Sequence, residues 1–68
     1  MGRPCDKVEI VRLTYGFYVV TAFDLFGRQL AINQSPRLST ETKRREWAIE
    51  QARLYAERWG LWVDDITY

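Results

Sequence analysis

Between Lys7 and Asn33 apolar and polar residues follow one another in short runs broken by glycine, and from Glu41 onward the spacing changes to one that suits a helix. The first run, Lys7 to Thr14 (KVEIVRLT), mixes Val8, Ile10, Val11 and Leu13 with charged positions and ends at Tyr15-Gly16, where a tight turn fits. It reads as a strand. Its apolar parity switches between Ile10 and Val11, which requires either a bulge or apolar surroundings on both faces. Phe17 to Asp24 (FYVVTAFD) is aromatic and β-branched with no charge before Asp24, the composition of a central strand. Leu25-Phe26-Gly27 supplies a second turn, after which Arg28 to Asn33 (RQLAIN) alternates with Leu30 and Ile32 on one face. The three runs predict an antiparallel meander.

Gln34-Ser35-Pro36-Arg37-Leu38 reads as a connection, because proline disfavours helix in the residue before it. Ser39 or Thr40 can cap a helix that runs from Glu41 to Trp59 without glycine or proline, and Gly60 suits the position just past its end. Leu61-Trp62-Val63 has the composition of a short fourth strand, ended by Asp64-Asp65, which leaves residues 66–68 as a tail. The expected fold is α+β: a three-stranded antiparallel meander followed by one long α-helix packed on the sheet, with a short C-terminal strand. Residues 1–68 form one domain in this reading, with residues 1–6 a flexible N-terminus.

On a helical wheel Ala48, Ile49, Ala52, Tyr55, Ala56 and Trp59 fall within about 120° of arc, a core stripe whose alanines allow close approach to the sheet. Trp47 and Leu54 align with each other roughly 150° from its centre. They are either the edge of a broad core or an exposed anchor, with Arg58 one turn beyond Leu54 on the same side. The central strand poses the same question, with Phe17, Val19 and Phe23 on one face and Tyr18, Val20 and Ala22 on the other. A helix covers only one face of such a sheet, so the other needs further cover. Three tryptophans, four tyrosines and three phenylalanines in 68 residues strengthen that demand. The expectation is a homodimer and a protein partner, with Trp47, Leu54, Arg58, Tyr18 and Val20 as candidate partner-binding residues.

Composition adds mainly exclusions. Apolar residues make up 47% of the chain and charged residues 28%, which is ordinary globular usage. No apolar run approaches the roughly 20 residues of a membrane helix, and the first residues do not resemble a signal peptide, so a soluble protein away from membranes is expected. A lone cysteine, Cys5, points to a cytoplasmic setting over a secreted, disulfide-stapled one and reads as an incidental thiol. The absence of histidine removes the usual catalytic triads, Cys/His pairs and zinc sites. The four glycines are too scattered for a phosphate loop, and no cofactor is implied.

The most suggestive chemistry is Lys43-Arg44-Arg45, because the helix macrodipole disfavours cations in the first turns by about 0.3 to 1 kcal/mol each. With Arg37 these residues are a candidate anion site, set against a plain solvated face in which Glu41 pairs with Arg45. The leading expectation is a non-enzymatic protein-binding module, of a size with bacterial or phage regulators and inhibitors that dock a larger protein. The alternative is a nucleic-acid-binding module that uses the basic start of the helix, less favoured because the central strand carries no base.

Overall fold

The structure is a computed structural model and describes residues 4–68. Among these residues the chain forms β1 (Lys7–Arg12), β2 (Tyr18–Phe23), β3 (Gln29–Gln34), α1 (Glu41–Arg58), a 3-10 turn at Val63–Asp65 and β4 (Ile66–Thr67). The strands make one sheet in the order β3-β2-β1-β4, antiparallel except that β4 runs parallel to β1. The meander and its packed helix are as the periodicity predicts.

Local chemistry sets the two hairpins. At the first, the Leu13 N–H donates to Phe17 O at 2.7 Å and the Gly16 N–H to Leu13 O at 3.0 Å, with Gly16 at φ 75. At the second, Asp24 N–H donates to Arg28 O, Gly27 N–H donates to Asp24 O, and the Asp24 carboxylate accepts from the Phe26 and Arg28 amides. Both are three-residue loops that close on a left-handed glycine, a solution that matches the twist of the flanking strands. The β1/β2 register is unbroken from Lys7↔Phe23 to Arg12↔Tyr18, so the parity switch at Ile10/Val11 is not a bulge. The register shift lies between β2 and β3 instead, at Ala22/Phe23.

α1 begins and ends where its sequence says. Thr40 Oγ1 accepts the Lys43 N–H at 3.1 Å, and beyond Trp59 the Leu61 N–H returns to Ala56 O at 2.7 Å and the Gly60 N–H to Glu57 O at 3.3 Å. This double return is the Schellman arrangement, and it needs the left-handed backbone Gly60 supplies at φ 69. Ala48, Ala52 and Ala56 are buried, and Ile49, Tyr55 and Trp59 flank them against the core. With no bulk in the alanine ridge, α1 lies close over β1 and β2, above Val8, Ile10, Val20 and Ala22. Val8 and Val20 are fully buried, each contributing about 1.5 to 3 kcal/mol by leaving water.

A polar lock fixes the start of α1 to the β1–β2 end of the sheet. Arg12 donates to Glu41 through Nε at 2.9 Å and Nη2 at 3.0 Å, and the Tyr18 hydroxyl donates to the same carboxylate at 3.0 Å. These donors, Arg12 first and then Tyr18, hold the Glu41 carboxyl at about 2, well below its ordinary 4.5. Arg44 reaches back to Gly16 O at 2.8 Å and to Leu38 O, with its guanidinium 4.9 Å from the Phe17 ring centre. These bonds offset the unfavourable position of Arg44 in the helix dipole.

Three expectations about the ends need correction or restriction. Leu61-Trp62 is not strand: the Trp62 N–H is held by the Asp65 carboxylate and the Asp65 N–H by Trp62 O, a turn that delivers Ile66 and Thr67 to β1. The expected tail is therefore the fourth strand, with Ile66 buried. Of the expected flexible N-terminus, residues 1–3 lie outside the described residues, whereas Cys5 is fully buried and the Asp6 N–H pairs with Phe23 O at 2.8 Å.

Candidate docking face of the sheet

Alternation along the strands gives the sheet two unlike faces. Val8, Ile10, Tyr18, Val20, Ala22 and Ala31 look toward α1. The opposite face carries Val11 next to Val19, Thr21 next to Ile32, Phe23, and Leu30 at the register shift. No element among the described residues packs on that face. Ile32 is 56% exposed, Leu30 42% and Val11 40%, while Val19 and Phe23 are half-buried by their neighbours. Three β-branched aliphatics, a leucine and a phenylalanine thus make a largely apolar strip across three strands, with the buried Thr21 between Val19 and Phe23 and with Lys7, Glu9 and Gln34 on the same side. β2 and β3 carry more apolar residues there than a solvated face needs.

The strip has a neutral rim. Lys7 and Glu9 sit on the same face of β1 with Nζ and Oε2 3.8 Å apart, and the Lys7 ammonium lies 5.4 Å from the Phe23 ring centre. At the far end of β2 the hairpin tip presents Leu25 and Phe26 to solvent, 72% and 77% exposed. The tip is rigid for its size, because the Asp24 bonds fix its backbone and Arg28 lies over the Phe26 ring at 5.4 Å. It joins Phe23 to the start of β3, so the strip and the tip are continuous along the chain.

The sequence leaves both faces of β2 open as a surface, and the residues it singles out lie on the side that α1 covers or on α1 itself. Tyr18, at 7% exposure, and Val20, at none, lie beneath α1 as core residues. The pairing of Arg12 with Tyr18 in register and of both with Glu41 turns that side of β2 inward. Trp47 is half-buried and packs against the core, whereas Leu54 is 47% exposed, so the two do not form one patch of equal standing. Arg58 is exposed with its guanidinium 5.0 Å from the Trp59 ring centre. Of the candidate anion residues, Arg44 is committed to main-chain carbonyls and Phe17, while Arg37, Lys43 and Arg45 remain exposed. Glu41 pairs with Arg12, not with Arg45 as expected.

The surface residues the sequence reading passed over are Val11, Leu30 and Ile32, together with Leu25 and Phe26 at the tip. The signal for the first group was present in the switch of parity at Ile10/Val11, which places Val11 opposite the core side. Comparison with protein families, with curated proteins and with solved structures found no match.

Proposed function

We propose that this chain is a non-enzymatic protein-binding module, a regulator or inhibitor in kind, that docks a larger protein on the face of the sheet opposite α1. The observation that carries the reading is the uncovered apolar strip Val11, Val19, Phe23, Leu30 and Ile32. Contiguous apolar surface rimmed by polar residues is the usual mark of a protein contact. The paired Lys7 and Glu9 leave the face without net charge, which suits an apolar partner surface better than a polyanion. Leu25 and Phe26 extend the strip as a preorganised anchor, so little conformational freedom is lost when they are buried.

Nucleic acid is the weaker ligand on this surface. Arg12, Arg28 and Arg44 are engaged with Glu41, Phe26 and main-chain carbonyls, and the exposed cations Arg37, Lys43 and Arg45 lie by the helix start. Affinity capture from cell extract, with and without nuclease and at two salt concentrations, tests the choice. The docking reading expects a captured protein that survives nuclease and high salt and is lost from folded Val11→Lys. Phosphate-driven binding falls steeply with salt. Capture that disappears with nuclease, or that is unaffected by Val11→Lys, refutes the reading.

A further inference from the structure

We propose that two copies of this chain associate through the free edge of β3, antiparallel about a twofold axis, with Ile32 opposite Ile32 of the second copy. β3 is the outer strand of the sheet, and its hydrogen-bonding groups alternate between β2 and the open edge. The Ser35 N–H is bonded to Tyr18 O at 2.8 Å, so in the register Val20↔Asn33 and Ala22↔Ala31 these are the positions bonded to β2. Ile32 and Gln34 therefore aim their N–H and C=O groups outward, where no strand among the described residues meets them.

Exposed edges are normally protected by a charged side chain, a proline, a bulge or a covering element. The six residues Gln29–Gln34 contain no charge and no proline, and the register shift lies only at the start of β3. α1 packs on β1, β2 and β4, and every β3 residue but Ala31 is exposed. A second copy fits this edge for a reason its composition supplies: an uncharged strand meets no like charge when paired with itself. Centred on Ile32, the register sets Leu30 against Gln34 and Ala31 against Asn33, and brings the two isoleucines together on the apolar face. The two docking faces would then adjoin on the same side of one continuous sheet. That consequence rests on the docking reading, whereas the dimer does not.

Leu30 to Gln34 spans about 17 Å of strand, which buries less than the roughly 800 Å² per partner of a standard interface. Association is thus expected in the range of about 10 to 500 μM, where sedimentation equilibrium of the full chain should show the mass rising from 8.1 kDa toward twice that value. Gln34→Pro removes an outward N–H that β2 does not use, and proline is tolerated at such edge positions. It should stay folded and monomeric. Val11→Lys, on the docking face away from the edge, should stay dimeric, which separates this inference from the docking reading. Under mild oxidation Ile32→Cys should cross-link to a covalent dimer, and Gln34→Cys and the wild type, whose Cys5 is buried, should not. A wild type that remains at 8.1 kDa at about 500 μM overturns the proposal, as does a folded Gln34→Pro that dimerises. If Gln34→Pro loses its fold, the cross-link decides: Ile32→Cys no more reactive than Gln34→Cys refutes the register.

Discussion

Gly16→Ala should destabilise the protein, and the reason divides into two parts that can be measured separately. Gly16 sits at φ 75, where a side-chain-bearing residue costs about 1 to 2 kcal/mol relative to glycine. An added Cβ would also lie 2.7 Å from Glu41 Oε1, inside contact distance. Glu41 is not a loose end that can swing away without consequence, since Arg12 and Tyr18 both bond its carboxylate. In a domain of this size each kcal/mol lowers the melting temperature by about 4 to 8 °C, so the backbone part alone predicts a drop of roughly 4 to 16 °C. A thermodynamic cycle with Glu41→Ala isolates the rest. In the Glu41→Ala background Gly16→Ala should retain only the backbone part, and the difference between the two backgrounds reports the clash with the locked carboxylate. Equal melting of Gly16→Ala and the wild type refutes both the turn conformation and the position of the lock.

Acid should act through the same lock: the folded chain holds the Glu41 carboxyl at about 2 against an ordinary 4.5, so on acidification the unfolded chain takes up the proton first. The contribution of Glu41 is complete above about pH 4.5 and is lost between there and pH 2, so urea midpoints of wild type and Glu41→Gln should converge across that window. Ala52→Leu should cost roughly 1 to 3 kcal/mol in denaturant melts, because Ala52 is fully buried where α1 approaches the sheet. Ile49→Val, on the flank of the ridge, should cost less. Trp47→Ala should lower stability by about half of the 3 to 5 kcal/mol typical of a buried tryptophan, and Leu54→Ser by less than about 0.5, since only Trp47 packs against the core.

The parts of the fold that were legible in the sequence are those decided by local chemistry. Thr40, Gly60 and the alanine spacing define α1 because a cap, a left-handed stop and a ridge each need particular residues at fixed offsets. The C-terminal strand was misplaced because pairing of Ile66 and Thr67 with β1 is a distant, parallel contact that composition does not announce. Leu61-Trp62-Val63 looked more strand-like, yet the Asp65 carboxylate turns the chain there. The burial of Tyr18 and Val20 was illegible for a related reason. Both sides of β2 are apolar, so alternation alone cannot say which one α1 covers, and Tyr18 and Val20 proved to be the covered side. Arg12 held the missing clue, since its pairing with Glu41 requires its own side of β1 to face the helix. The role of Arg44 within the basic run was illegible because it serves the first hairpin, a contact made 28 residues away in sequence.

Hydroxyl-radical footprinting of the chain, free and bound to its captured partner at equal chain concentration, tests the docking face most directly. The account predicts that Leu30, Ile32, Phe23 and the tip residues Leu25 and Phe26 lose reactivity in the complex, while Leu54 on the far side of α1 keeps it. Protection of Leu54 with the sheet residues unchanged would contradict the account and move the docking surface to the helix.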